Sequence, residues 1–297
     1  MAGEVHVIMA TYNGALYVRE QIESILNQTY KNLKLYIFDD GSTDGTQEII
    51  KEYESERVII LSGERLGYPK SFYKLLVEAG GADYYSFSDQ DDVWFPNKIE
   101  MAVQKLSEVD RRRKYLYFSR FNYCDKNMRF LQVAEKAPEH IVFRKTFFQC
   151  YLWGFTVVIN EAMRKELIYH LPDRTKMKDY WMHLLCGGKG HFIYDERISA
   201  NHRRHGENHS EDPTEFIKFQ IWRIKHFWMD DTFKESHDLL KEFYEIYQNR
   251  LSEKKLKELK LFQSDGKRLK KTFYPYRLRS TWADEIMLRI VFLIGKL

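Results

Sequence analysis

Short β-branched runs alternate with short stretches of helical periodicity through roughly the first ninety residues, and this alternation restricts the fold more than any other feature. Val5-His6-Val7-Ile8-Met9-Ala10 reads as a buried strand that stops at the turn cluster Thr11-Tyr12-Asn13-Gly14. Residues 17–28 place Val18, Ile22, Ile25 and Leu26 at helical spacing. Leu33-Lys34-Leu35-Tyr36-Ile37-Phe38 is a second strand, closed by Asp39-Asp40-Gly41-Ser42-Thr43-Asp44-Gly45. Residues 47–53 and 70–78 read as helices, and 58–61 and 82–87 as strands. Such a β-α-β-α-β-α-β order predicts an α/β fold with a Rossmann-like, mostly parallel sheet flanked by helices. Ligands of these sheets bind beyond the carboxyl ends of the strands. Three polar clusters, at 11–13, 39–44 and 89–92, fall at such ends.

The third cluster is Phe87-Ser88-Asp89-Gln90-Asp91-Asp92-Val93-Trp94, with three carboxylates in four residues. Like charges this close disfavour each other's ionisation, and a bound cation reverses that cost. Carboxylate oxygens suit Mg²⁺ or Mn²⁺, commonly with substrate phosphates completing the shell. A solvated acidic turn is the plainer reading of the triplet alone. Its place beside two other strand-end polar loops favours a site for a base, a sugar and phosphates. Neither Gly-x-Gly-x-x-Gly nor Gly-x-x-x-x-Gly-Lys-Ser/Thr occurs in this half, so an acid–metal route to phosphate fits better than a glycine cradle.

The chain of 297 residues is 44% hydrophobic and 30% charged, which supports a packed core and excludes global disorder. Three scattered cysteines, Cys124, Cys150 and Cys186, argue against a disulfide scaffold or a zinc site and fit a reducing cytoplasm. The start runs straight into a strand, so no secretory leader is expected. No apolar run approaches the ~20 residues that span a bilayer. The net charge of +4 is mild, but residues 250–279 are dense in Lys and Arg, opposed by Glu253, Glu258 and Asp265.

The motifs of the first hundred residues together resemble the nucleotide-binding half of family 2 glycosyltransferases with the GT-A fold. The matching text is Val7-Ile8-Met9-Ala10-Thr11-Tyr12-Asn13, Ser24-Ile25-Leu26-Asn27-Gln28-Thr29-Tyr30, Ile37-Phe38-Asp39-Asp40-Gly41-Ser42-Thr43-Asp44-Gly45-Thr46 and Ser88-Asp89-Gln90-Asp91-Asp92-Val93-Trp94. The Asp-Gln-Asp-Asp-x-Trp form is most similar to bacterial rhamnosyltransferase-type members that build surface polysaccharides. The resemblance implies a donor site made by Thr11, Tyr12, Asn13, Asp39, Asp40, Lys70, Asp89 and Arg203. Tyr12 would lie against the base, and Asp40, with Asp39, would accept from a pyrimidine ring N–H. Asp89 would contact ribose or sugar, and Asp91 would bind the metal between the phosphates. Asp92 is the weaker ligand and a candidate loop brace. Arg65 stands where the family often has Asn, and Lys70, which could reach the phosphates or donor sugar, reads more readily as a solvated cation.

Further along, Asp179-Tyr180-Trp181 matches the family's Asp-x-Trp pattern, in which the Asp is the general base of inverting transfer. A helix-capping role for Asp179 is compatible with that. Asn201-His202-Arg203-Arg204-His205-Gly206-Glu207-Asn208 resembles the family's Tyr-Arg-x-His-x-x-Asn loop, with His202 in place of tyrosine. There Arg203 and His205 would close over the diphosphate, and His205 would be a third metal ligand beside Asp91 and Asp89. Trp153 and Gly154, with Trp181, would wall the acceptor side, although large apolar residues are more often simply core. His183 and His191 lack partners at metal spacing and read as structural.

Pro213 marks a boundary: residues 1–212 form the expected GT-A domain and 213–297 a basic, helical C-terminal extension. Its last apolar stretch, 286–296, leaves two readings open: an interfacial helix on an anionic membrane, or a helix docked on the domain or on a second copy in a homodimer. The expected function is a metal-dependent (Mn²⁺ or Mg²⁺) inverting transfer of a sugar to a hydroxyl of a saccharide or lipid-linked saccharide. The expected donor is dTDP-rhamnose, with a UDP-hexose as alternative. The expected location is cytoplasmic, peripheral on the inner face of the membrane, and no nucleic acid is expected as partner. A nucleotidyltransferase would carry a glycine- and lysine-rich loop after the first strand, which is absent. A non-catalytic nucleotide-sugar-binding module would not need Asp179.

Overall fold

The computed structural model describes residues 3–172, 178–205 and 232–297. The expected strands and helices of the first half form as β1 (Val5–Thr11), α1 (Val18–Leu26), β2 (Leu33–Asp39), α2 (Thr46–Lys51), β3 (Val58–Leu61), α3 (Lys70–Glu78) and β4 (Tyr84–Ser88). After a two-residue β5 (Val93–Trp94) come α4 (Lys98–Ser107), β6 (Tyr115–Cys124) and β7 (Phe130–Val133). β8 (Val158–Asn160), α5 (Glu161–Tyr169), α6 (Lys178–Lys189) and β9 (His191–Arg203) follow. The chain continues as α7 (Thr232–Tyr247), α8 (Glu253–Phe262), α9 (Arg268–Thr272) and α10 (Trp282–Ile294).

Two compact units result. The first comprises residues 1–137, 152–171 and 191–210, and the second 138–151, 172–190 and 211–297. In the first unit, the strands lie in the order β3-β2-β1-β4-β8-β6-β9-β5, with β7 paired to β6. β3, β2, β1 and β4 are mutually parallel, while β8 is antiparallel to both β4 and β6. Val5, Val7 and Met9 of β1 and Leu33, Leu35 and Ile37 of β2 alternate onto a buried face, where Val18, Ile22 and Ile25 of α1 cover them. Chain order reverses about β1, with β2 and β3 to one side and β4 to the other. Such a switch point opens the crevice in which α/β sheets bind ligands.

The strand β9 is absent from the sequence reading. Its charged residues hide the period of two, yet it runs parallel to β6 through the sheet and ends at Arg203. The arginine motif is therefore the end of a strand and not a free loop.

The second unit is built around aromatics. Phe143 and Phe147, in and beside the 3₁₀ turn Phe143–Thr146, pack on Phe243 of α7 and Phe262 of α8, and Phe148 packs on Phe262 and Phe292. α6 approaches this cluster through Gly187 and Gly188, where an added Cβ would come within 2.7 Å of Thr146 Cγ2 and Phe243 Cζ. The division at Pro213 therefore misses two earlier stretches, 138–151 and 172–190, whose rings and glycines complete this core. Pro213 itself, and the expected helix over 214–231, lie outside the described residues.

Candidate active site

Parallel register brings the ends of three strands to one edge: Thr11 pairs with Asp39, and Met9 with Ser88. The loops beyond them are sewn together by side chains. Asn13 N–H donates to Ser42 Oγ (2.9 Å), Gly14 N–H to Thr46 Oγ1 (2.8 Å) and Ala15 N–H to Asp44 Oδ2 (3.0 Å), while Thr43 N–H donates to Asn13 Oδ1 (2.9 Å). Gln90 ties the acidic loop to the first. Its Oε1 accepts from Tyr12 N–H at 2.9 Å and its Nε2 donates to Tyr12 O at 3.0 Å. A Cβ on Gly14 would lie 2.4–3.0 Å from that amide, so the position admits only glycine while Gln90 stays in place. The crevice of the switch point is thus a preformed, hydrogen-bonded frame.

The expected donor residues take different parts in it. Asp39 is the hub of the second loop, accepting from Thr11 Oγ1 (2.9 Å), Gly41 N–H (3.2 Å), Ser42 N–H (2.8 Å) and Gln47 Nε2 (3.0 Å). Asp40 is buried, and its two oxygens accept from Leu66 N–H (2.5 Å) and Gly67 N–H (2.7 Å). It therefore shapes the loop that carries Arg65. The Arg65 guanidinium lies 4.3 Å from the centre of the Tyr12 ring, which is 41% exposed. Together they offer a stacked cation and ring at the rim. Lys70 is exposed at the start of α3.

The three acids are divided by burial. Asp92 is fully buried, and its Oδ1 accepts from His202 Nδ1 (2.8 Å) and from Arg203 N–H (3.2 Å). Burial raises the Asp92 pKa against the opposing His202. Burial pulls His202 down, but Asp92, with Asp91 and Asp89 behind it, outweighs that and leaves His202 raised. The His202 ring stacks on Phe155, with centroids 5.0 Å apart and planes 10° from parallel. Asp92 is a brace, then, and the histidine at the family's tyrosine position is its partner. Asp89 and Asp91 are half-buried. Asp91 Oδ2 lies 2.8 Å from His205 Nε2.

Two expectations change. Arg203 is only 4% exposed and its guanidinium donates to Asp91 O (2.9 Å), to Lys126 O (2.8 Å) and to the Glu20 carboxylate. Its donors are directed at protein acceptors, so it holds the acidic loop from behind. Among the described residues no group of three or more His, Cys, Asp or Glu side chains stands together as a metal site, so Asp89 does not join Asp91 and His205 in one cluster. The Asp91–His205 pair nevertheless fits Mn²⁺ or Mg²⁺. A carboxylate oxygen and an imidazole nitrogen are suitable donors, and substrate phosphates ordinarily supply others.

On the acceptor side, Trp153 is half-buried against Phe121 (5.0 Å) and Tyr123 (5.8 Å), and Gly154 is buried at the start of a 3₁₀ turn. Trp181 belongs to the second unit and is 0% exposed, packed on Phe243 and Tyr247. Its ring is part of that unit's core, enclosed by the aromatic cluster. Asp179 lies in the first turn of α6, with its side chain 24% exposed and Oδ1 3.3 Å from Lys178 Nζ. The ion pair orients the carboxylate. His183 is buried, and burial drives its pKa down to about 3, against a backbone hydrogen bond at Gln149. It is a neutral structural ring.

Sequence reasoning missed Gln90, Glu20 and the Ser42–Asp44–Thr46 stitching. Only the polar residue types at strand ends hint at them, since each acts through a partner distant in sequence.

The comparisons with known proteins agree with this frame. The family model "Glycosyl transferase family 2" matches residues 6–171, more than half of the chain. An uncharacterized glycosyltransferase of Rickettsia conorii is 36% identical over 123 residues, 38% of this chain and 19% of that protein. The dTDP-rhamnosyl transferase RfbG of Shigella flexneri is 38% identical over 105 residues, 33% of this chain and 36% of that protein. The UDP-Glc:alpha-D-GlcNAc-diphosphoundecaprenol beta-1,3-glucosyltransferase WfgD of Escherichia coli is 26% identical over 196 residues, 66% of this chain and 72% of that protein. The chain thus spans 19–35% of the length of the first two curated relatives it matches. The S. aureus TarS 1–349 structure with UDP-GlcNAc has a TM-score of 0.56 at 13% identity, covering 99% of this chain and 91% of that one. At that identity the likeness shows the fold, GT-A. With its motifs, its sheet and the family model's match to more than half of its length, the chain belongs to glycosyl transferase family 2.

Proposed function

We propose that this protein transfers a sugar from a nucleoside-diphosphate donor to a hydroxyl of a saccharide carried on a lipid diphosphate, with inversion. The observation that carries the reading is the stitched crevice at the β1–β4 switch point, with Tyr12 and Arg65 at one rim and Asp89, Asp91 and His205 at the acidic loop. A ring and a guanidinium suit a nucleobase. Asp91 and His205 would hold Mn²⁺ or Mg²⁺, which when bound offsets the charge of the leaving diphosphate. Asp179 takes the proton of the acceptor hydroxyl as its oxygen bonds to the anomeric carbon, and the bond from that carbon to the phosphate oxygen breaks. Asp39, Asp40, Asp92 and Arg203 keep the loops in place.

For the donor we favour dTDP-rhamnose, on the Asp-Gln-Asp-Asp-x-Trp form and the RfbG likeness. UDP-glucose is the second reading, because the WfgD likeness extends over 66% of this chain. A mannosyltransferase of Pyrobaculum calidifontis with GDP-Man and Mn²⁺ shares the fold at a TM-score of 0.50, which supports testing Mn²⁺ first. We place the protein on the cytoplasmic side, a reading that its three scattered cysteines support.

The test offers dTDP-rhamnose and UDP-glucose in turn, with a lipid-diphosphate saccharide and Mn²⁺. Asp179→Asn is expected to lower kcat by about 10²–10⁴, the range of a lost general base, with donor affinity kept. Asp91→Asn, or chelation of the metal, is expected to weaken donor binding itself. Unimpaired transfer by Asp179→Asn would remove it as base. Release of nucleoside monophosphate to the acceptor would overturn the reaction class.

A further inference from the structure

Helix α10 is built inside out. Every exposed residue in it is uncharged: Trp282, Ala283, Ile286, Ile290, Leu293 and Ile294. They fall on one stripe of the helix, and four of the five large ones are between 44% and 67% exposed. The charged residues of α10 are satisfied by the chain itself. Asp284 Oδ2 accepts from Thr281 Oγ1 (2.7 Å), and buried Glu285 accepts from Leu278 N–H (2.8 Å), Arg279 N–H (2.7 Å) and Arg289 Nε (2.7 Å). Arg289 also donates to the carbonyls of Lys271, Thr272 and Tyr276. A helix facing water ordinarily carries its charges outward. A large apolar stripe in their place marks a binding surface.

Neighbouring elements supply the charge. Residues 250–279 hold eleven Lys and Arg against three acids. Helix α9 packs on α10 and continues the apolar surface with Leu269 (64% exposed) and, just beyond it, Phe273 (76%). The same helix gives Lys270 to a groove of about 700 Å³ shared with α8, in which Lys254, Lys257, Lys260 and Lys267 outnumber Glu253 and Glu258 around Leu256, Leu261 and Tyr274. Cations beside an apolar, aromatic-bearing stripe complement an anionic phospholipid surface: headgroups meet the lysines and acyl chains meet the stripe. Nucleic acid would answer the lysines but leave the stripe in water. Among the described residues no helix is long and apolar enough to cross a membrane, so α10 would lie along the surface.

We infer that the α8–α10 region docks this protein peripherally on an anionic lipid bilayer, through the Trp282-Ile286-Ile290-Leu293 stripe and the α8–α9 lysines. This stands apart from the sugar-transfer reading and needs no donor or acceptor. The test is cosedimentation of the full chain with vesicles of phosphatidylcholine alone and of phosphatidylcholine with about 30% phosphatidylglycerol, at about 0.1 and 0.5 M salt. Binding to the anionic vesicles is expected to exceed that to the neutral ones by about tenfold or more, and to fall with salt. Ile286→Glu with Ile290→Glu is expected to abolish binding, and Lys257→Glu with Lys260→Glu to weaken it by about tenfold, both with unchanged far-UV circular dichroism. Quenching of Trp282 by brominated acyl chains, lost in Trp282→Phe, reads insertion directly. Equal binding to both vesicle types, or unchanged binding by the stripe variant, overturns the inference. So does a stable dimer that Ile286→Glu dissociates, which would show a second copy covering the stripe.

Discussion

Gln90 and Gly14 form one unit of the site although neither touches a reacting atom. The Gln90 amide receives and gives a hydrogen bond at Tyr12 only because Gly14 leaves room for it. Gly14→Ala is expected to expel the amide and break both bonds, at about 0.5–1.5 kcal/mol each. Donor affinity would fall by roughly tenfold, since the Tyr12 rim loses its anchor. Gln90→Ala is expected to cost about the same, and the double variant little more than either, because both remove one interaction. Titration calorimetry with the nucleotide donor measures all three. Additive losses would show that Gly14 acts through some other contact. The acidic triplet was legible from residue type and position, but its division of labour was not. That division depends on burial of Asp92 against His202, on Arg203 being spent on Glu20 and Lys126, and on Trp181 lying inside a core.

Helix α4 carries a second consequence of that burial. Its first residue, Lys98, is 0% exposed; its Nζ lies 4.4 Å from the Trp94 ring centre and finds no hydrogen-bond acceptor among the described residues. Burial lowers its pKa to about 7, against the opposing charge of Asp92. The unfolded chain therefore holds more protons than the folded one between pH about 7 and the ordinary lysine value of 10.5, so stability rises with pH across that window. At 1.36 kcal/mol per pKa unit the cost of the charged form is about 5 kcal/mol as an order of magnitude. Lys98→Met keeps the length and the contact with the ring but has no charge. It is expected to raise the thermal midpoint at pH 6 by several degrees, and by much less at pH 10. Equal gains at both values would mean that Lys98 is not the titrating group. The elements themselves were read well where apolar residues recur at period 2 or 3.6. β9 escaped because His191, Asp195, Glu196, Arg197, Asn201 and Arg203 interrupt its pattern, and only its pairing with β6 and β5 makes it a strand.

At the scale of the molecule, the second unit is assembled from three separate stretches of chain. Phe143, Phe147, Phe148 and Trp181 come from before residue 190, and Phe243, Tyr247, Phe262 and Phe292 from after 232. Composition and a proline suggest a boundary at 213, because a proline-marked, basic, helical tail looks separable on paper. Which rings meet is a property of the folded chain that no local pattern carries. A chain ended at residue 212 would therefore keep the whole sheet but strip the partners from four large aromatic side chains. Burying each is worth about 1.5–3 kcal/mol, so the loss is about 6–12 kcal/mol, comparable to the stability of an entire domain. The truncated chain is expected to expose this surface, bind the dye ANS strongly and elute as aggregates in gel filtration. The same truncation with Phe143, Phe147 and Phe148 changed to serine or glutamine should reduce that aggregation. A monodisperse, ANS-silent 1–212 fragment that unfolds cooperatively would show instead that 138–151 and 172–190 fold without the C-terminal helices, and that the boundary lies where the sequence places it.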